Sequence, residues 1–256
     1  MNLEFPRQTI RVIGAPIDAM DWDTTLARLA TWAQACESRY VCVCNAHSVV
    51  TAARQYDFAQ VLAEADMATA DGAPVAWMLR RLGVPEQERI NGPDLMLRLC
   101  AVAANTGTPI FLFGSTAQTL ALLQARLSEL MPSLRIAGTC SPPYRAPTPE
   151  ESLAHAQAIN ASGAGIVFVS LGCPKQELWM AANRGKVRAV MIGVGAAFAF
   201  HAGSFKRAPS WMRRSGLEWL HRLVTEPRRL WRRYLVTNSI FVVLACLQLL
   251  RSDRRQ

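Results

Sequence analysis

Gly165-Ile-Val-Phe-Val-Ser170, then Leu171-Gly-Cys-Pro174-Lys175-Gln176-Glu177, then the apolar run Val187–Val194 form the stretch whose reading decides the fold. The first six residues are mostly β-branched or aromatic and read as a buried strand. Pro174 suits the first position of a helix running to Asn183, and the second apolar run reads as another strand beyond it. Strand, helix and strand in that order is the unit that builds a parallel sheet.

The same alternation extends in both directions along the chain. Further strands are predicted at Thr9–Ile13, Tyr40–Cys44, Met67–Thr69, Pro109–Phe113 and Leu134–Ala137, and helices at Thr24–Cys36, Ser48–Arg54, Ala73–Leu82, Pro93–Ala104, Ala117–Leu130 and Glu150–Ala161. Several of the helices open on capping residues, such as Thr148-Pro-Glu-Glu with proline in the first turn and carboxylates at the positive helix end. The expected fold class is α/β, a Rossmann-like and mostly parallel sheet with helices on both faces.

A chain of 256 residues that is 51% hydrophobic and 18% charged buries a sizeable core, which excludes intrinsic disorder, and its 15 Gly and 14 Pro exclude a collagen-like or low-complexity chain. The net charge of +9 is confined to one end. Twelve basic and three acidic side chains follow Ser204, whereas residues 1–204 balance at sixteen of each. The expected division is therefore an α/β core over 1–204 and a basic helical appendage over 205–256, with no nucleic acid implied as a partner. In the appendage, Ile240–Leu250 is an apolar stretch of 11 residues interrupted by Gln248, short of the roughly 20 that cross a bilayer. Flanked by arginines, tryptophans and Tyr234, it reads as a helix lying in an anionic membrane interface, with packing on the body or on another subunit as the other reading.

Seven scattered cysteines fit a reducing compartment, and Cys42 and Cys44 point to one face of a strand as core thiols. The N-terminal residues lack the basic start and apolar core of a signal peptide. His47, His155, His201 and His221 have no metal-ligand spacing, so no metal site is expected.

In open α/β sheets ligands bind beyond the carboxyl ends of the strands. The residues there are Asn45-Ala-His-Ser48, Asp71-Gly72, and, on a later loop, Arg89-Ile-Asn-Gly92-Pro-Asp94. Asp71 reads either as the N-cap of the helix starting at Ala73 or as a reacting carboxylate accompanied by Asn45 and Arg89. Lys175, Gln176 and Glu177 fall at a helix N-terminus, where free amides meet a phosphate or a sugar hydroxyl. Gly193-Val-Gly195 has Phe198 where a dinucleotide fingerprint needs a third small residue, which opposes a nicotinamide site. Walker and G-x-S-x-G motifs are absent as well, and Asp21-Trp-Asp23, the chain's one D-x-D, reads as the capping residues of the helix at Thr24, so arginines would have to neutralise a nucleotide diphosphate.

Taken in order, Asn45, Ala70-Asp71-Gly72, Arg89 through Asp94, Phe111-Leu-Phe-Gly114, Gly172 through Glu177, Gly193-Val-Gly195, Ala202-Gly203, Arg207-Ala-Pro209, Gly216-Leu-Glu218-Trp219 and Arg222 through Arg228 resemble the WecG/TagA/CpsF family of bacterial glycosyltransferases. The resemblance implies a UDP-sugar donor and a polyprenyl-diphosphate-linked sugar acceptor in exopolysaccharide or other surface-glycan assembly. It also implies inverting, metal-independent transfer with no cofactor, on the cytoplasmic face of the membrane. By the same motifs Asp71 is the expected general base. Asn45, Arg89, Asp94, Gln176 and Glu177 are the expected substrate-binding residues, joined from the appendage by Arg222, Arg229 and Arg232. Val43 and His47 depart from the family pattern beside the pocket, which bears on the identity of the sugar. A nucleotide-dependent oxidoreductase and a non-catalytic membrane scaffold are the competing readings, and the number of subunits is left open.

Overall fold

The computed structural model describes residues 7–205 and 207–253, with the side chains of Arg213, Arg214, Arg229, Arg233, Ser252 and Asp253 outside that description. The chain opens with an antiparallel hairpin, β1 (Thr9–Val12) and β2 (Ala15–Asp18), whose two turn residues Ile13 and Gly14 both have positive φ, 51° and 86°. That is the backbone a tight two-residue hairpin requires, and glycine supplies half of it at no steric cost.

Next come α1 (Trp22–Gln34), β3 (Arg39–Cys44), α2 (Ala46–Arg54), α3 (Tyr56–Glu64), β4 (Met67–Ala70), α4 (Ala73–Arg81) and α5 (Gly92–Thr106). The second half continues with β5 (Ile110–Gly114), α6 (Ala117–Leu130), β6 (Ile136–Cys140), α7 (Pro149–Ser162), β7 (Ile166–Ser170), α8 (Lys175–Asn183) and β8 (Val190–Gly193). A short α9 (Ala197–His201) leads to the appendage helices α10 (Ser210–Arg214), α11 (Glu218–Thr225) and α12 (Pro227–Asp253).

Six strands make one all-parallel sheet in the order β4-β3-β8-β7-β5-β6. Alternate side chains of each strand enter separate hydrophobic layers. Val41, Val43, Ile166, Phe168, Val190 and Ile192 pack against α1, α5, α6 and α9. Tyr40, Cys42, Cys44, Val167, Val169 and Met191 pack against α2, α3, α4, α7, α8 and α12 on the other face. Coverage on both faces explains why these strands read as continuous apolar runs. Cys42 and Cys44 lie fully inside one layer, where burial pushes both thiols well up in pKa and keeps them neutral.

The strand order fixes where a ligand can enter. After β3 the chain departs to the α2 side, and after β8 it departs to the α9 side, so a crevice opens beyond the carboxyl ends of two neighbouring strands.

The appendage is docked along the body. Helix α12 has 27 residues, about 40 Å at 1.5 Å per residue. Its Phe241 and Ala245 enter the α2 side of the core. Gln248 accepts a hydrogen bond from the Ile13 N–H at 2.7 Å and donates to the Arg11 carbonyl at 2.6 Å, which ties the helix to the hairpin turn. The apolar segment is longer than the 11-residue run suggests: Leu230–Arg251 is one helical stretch of 22 residues, long and apolar enough to cross a membrane by length and composition. Thr237, Asn238 and Ser239 interrupt the run in sequence but not the helix. Leu235, Val236, Val242, Val243, Leu247 and Leu250, on the side away from the body, are all about half exposed or more.

Candidate active site

A cleft of about 560 Å³ occupies the crevice, floored by the loops that follow β3, β4, β7 and β8 and walled on one side by the appendage. Asp71 lies at its edge directly after β4. Its N–H donates to the Cys44 carbonyl at 2.8 Å, continuing the β3–β4 ladder by one residue. The cap of α4 is Gly72, at φ 84° and with no side-chain capping bond, so the Asp71 carboxylate does not serve as the N-cap that local sequence offered. Its side chain keeps 22% exposure, toward the cleft.

Burial pushes the Asp71 carboxyl above the usual range and the nearby Glu218 adds to that, while Arg89 and a hydrogen bond from Asn45 pull the other way. Arg89 Nε stands 3.9 Å from Asp71 Oδ1, and its Nη2 donates to Glu218 Oε2 from α11. Arg89 is itself held in the charged form: burial disfavours the cation, and the carboxylates of Asp71 and Glu218 outweigh that.

Asn45 has two duties. Its Oδ1 accepts from the His47 and Ser48 N–H groups at 3.0 and 3.3 Å, forming a capping box for α2, and its amide reaches Asp71. Gln176 is buried between strand and helix. It accepts from the Gly195 N–H at 3.1 Å and donates to Glu177 Oε1 at 2.9 Å, and both side chains line the cleft. A Cβ at Gly193 would come within 2.9 Å of the Gln176 amide, so only glycine leaves Gln176 this seat.

Asp94 lies outside this cleft. It faces an adjoining smaller one, where it accepts from Arg207 Nη1 at 2.6 Å and from the Asn91 amide at 2.7 Å. Of the three appendage arginines expected at the site, Arg222 lines the cleft, with its guanidinium 5.4 Å from the centre of the Phe200 ring. The Arg229 side chain is outside the described residues. Arg232 is exposed over its neighbour Trp231 and does not reach the cleft. Helical phase accounts for this: Tyr234 and Asn238 line the cleft, and Arg232, two residues before Tyr234, lies about 200° away around the helix.

Sequence reasoning gave Glu218 and Phe200 no role and read Trp219 and Tyr234 only as aromatics of a membrane-facing appendage, yet all four line the cleft. Gly216-Leu-Glu218-Trp219 was the one signal available for Glu218 and Trp219. Tyr234 packs edge-on against Trp219 at 6.0 Å, making an aromatic wall.

The arrangement combines a half-buried carboxylate, fixed guanidinium groups and an aromatic wall in a cleft at the carboxyl edge of a parallel sheet. Such a site can take a proton from a hydroxyl while fixed cations receive charge on a phosphate. The glycosyl transferase WecG/TagA/CpsF family model matches residues 10–255, nearly the whole chain, and the protein belongs to this family of glycosyltransferases.

Proposed function

We propose that this glycosyltransferase moves a sugar from a UDP-sugar to a polyprenyl-diphosphate-linked sugar acceptor, in exopolysaccharide or related surface-glycan assembly on the cytoplasmic face of the membrane. The observation that carries the reading is Asp71. It is a carboxylate released from helix capping, raised in pKa by burial, opening onto a cleft that also receives Arg222 from the basic appendage. Asp71 takes the proton of the acceptor hydroxyl as the oxygen attacks the anomeric carbon. The bond to the UDP oxygen breaks on the opposite side, so the configuration inverts.

The leaving diphosphate is neutralised by arginine rather than by a metal ion. Supporting this, the chain's one D-x-D, Asp21-Trp-Asp23, lies outside the cleft, where Asp21 caps α1 by accepting from the Thr24 N–H, and among the described residues no three His, Cys, Asp or Glu side chains are grouped to hold an ion. The lipid-linked acceptor is met at the surface because α12 presents its unpartnered apolar side outward while its inner side is fastened to α2 and to the hairpin. A helix so fastened lies along the membrane as a peripheral anchor.

Purified protein incubated with a panel of UDP-sugars and a short-chain lipid-diphosphate sugar acceptor tests this. Transfer from one of them, with release of UDP, is expected. Donor hydrolysis alone, or no reaction with any member of the panel, would refute the assignment of donor and acceptor.

A further inference from the structure

Asp71, Arg89, Glu218, Arg207 and Asp94 form a chain of alternating charge that leaves the core, passes through the appendage and returns to the core. Arg89 lies 3.9 Å from Asp71 and donates to Glu218; Glu218 Oε1 is 3.7 Å from Arg207 Nε; Arg207 Nη1 donates to Asp94 at 2.6 Å. The side chains of Arg89, Glu218 and Arg207 keep 20%, 13% and 19% exposure, so the central contacts are largely withdrawn from solvent and screening. The backbone is fitted at the same place. Gly216, at φ 73°, lies so near the first residue of α4 that a Cβ would meet Ala73 Cβ at 2.7 Å. The turn before Glu218 thus rests on the element that begins two residues after Asp71.

We infer that Glu218 is a positioning residue, a clasp by which the docked appendage fixes the Arg89 guanidinium beside Asp71. This rests on the reading of Asp71 as the base. Arginine presents its donors in a rigid fork, and with Glu218 holding Nη2, the Nε side of Arg89 cannot turn away from the Asp71 carboxylate. Arg207 holds Glu218 from behind and is itself anchored at the start of α5 by Asp94 and Asn91. Without the appendage the base and its cation would both be present, but nothing would hold one against the other.

Glu218→Gln keeps the shape and removes the charge, and Arg207→Lys keeps the charge and removes the fork. Each is expected to lower kcat about 10–100-fold, the scale of a small misplacement at the reacting centre, with the donor KM changed less than about threefold. The double variant should be no slower than the worse single one, because both break one clasp. The pH profile supplies a readout that loosened structure alone does not mimic. The charged and titratable groups around Asp71 are Arg89 from the loop before α5, Glu218 from α11, the Cys44 thiol at the end of β3, and His47 on the same cleft wall. Glu177 and Arg222 line the same cleft, and Glu218 is the carboxylate that raises the Asp71 pKa, so removing it should move the acid limb of kcat/KM to lower pH in Glu218→Gln and leave it in place in Arg207→Lys.

Wild-type kcat and pH profile in Glu218→Gln would overturn the proposal, as would additive effects of the two substitutions. Hydrogen exchange of the α11 amides at unfolded rates in Glu218→Gln would do so too, by reducing Glu218 to an attachment point. If Glu218→Gln fails to fold, Arg207→Lys decides, and wild-type kcat there is the overturning result. Asp71→Asn run in parallel separates the two readings. Full turnover in that variant removes the base assignment, whereas full turnover in Glu218→Gln beside an inactive Asp71→Asn removes the clasp alone.

Discussion

Asn45 and Asp71 leave adjacent parallel strands in step: Cys44 and Ala70 are register partners, and the next residue of each strand turns out into the cleft. The Asn45 side chain caps α2 with its oxygen and supports the Asp71 carboxylate with its amide, so one residue sets both the path of the chain after β3 and the environment of the carboxylate after β4. The site is thereby fixed to the rigid edge of the sheet rather than to a free loop.

Asp71→Asn is nearly isosteric and should leave folding and UDP binding intact while lowering kcat by about 10²–10⁴-fold, the range for a positioned general base. Single-turnover kinetics together with UDP titration check this, and near-wild-type turnover would remove the assignment.

The acid limb of the rate profile should lie above the ordinary aspartate range, because burial, and then Glu218, raise the Asp71 pKa further than Arg89 and Asn45 lower it. A base works only when ionised, so activity is present above that raised pKa and fades as pH falls through it. Asn45→Ala removes a hydrogen bond to the ionised form and should move the limb to still higher pH. A limb moving downward in that variant would contradict the placement of the Asn45 amide.

Much of this fold was legible because both faces of the sheet are covered. Strands buried on two sides show as unbroken apolar runs, and α6 begins and ends where its capping threonine and apolar spacing place it. The second hairpin strand was not legible: Ala15-Pro-Ile-Asp18 is four residues long and contains a proline, which an edge strand tolerates and a sequence pattern discounts. Helix α3 was hidden because a single residue, Gln55, separates it from α2. Of the site, the residues just beyond the strands were legible. The contacts of Arg89 and Arg207 with Glu218 were not, since ion pairs between distant segments leave no periodic trace. Whether Asp71 caps α4 was undecidable without the backbone, as it turned on the positive φ of Gly72.

Turnover should survive EDTA, with no gain from Mg²⁺ or Mn²⁺, if arginine groups stabilise the departing diphosphate. Activity lost on chelation and restored by either ion would show that a metal performs this task.

Two glycines at the ends of elements separate crowding from backbone strain. Gly114, at φ 109°, closes β5 beside Ser170, and a Cβ there would come within 2.5 Å of the Ser170 carbonyl oxygen, a backbone atom that no rotamer change can move. Gly163, at φ 69°, caps α7 with nothing within 4 Å of such a Cβ. Gly163→Ala should cost about 1–2 kcal/mol, the strain of a left-handed residue, and Gly114→Ala distinctly more, about 3 kcal/mol or above, because a clash is added to the strain. Urea denaturation monitored by tryptophan fluorescence measures both, and equal losses would mean that β5 and β7 do not approach each other this closely.

The appendage joins localisation to catalysis, and its two sides allow the roles to be tested apart. Truncation after Phe205 removes Glu218 and Arg222 together with α12, so it should abolish vesicle binding and most transfer even to a water-soluble acceptor. Cutting only the end of α12 would be a poorer test, since Phe241, Ala245 and Gln248 are fastened to the body and their loss should destabilise it. Serine at Val242, Val243 and Leu247 instead changes only the outward side. That triple variant should keep its melting temperature and its turnover of a soluble acceptor, yet sediment poorly with anionic vesicles and act slowly on a long-chain lipid acceptor. Each basic residue near the anionic surface adds about 1 kcal/mol that salt screens, while apolar burial is not screened. Raising the salt should therefore weaken the wild type only in part and release the triple variant fully. Alkaline carbonate should extract the wild type, as expected of a helix lying on the membrane; retention in the membrane pellet would mean that Leu230–Arg251 leaves the body and spans.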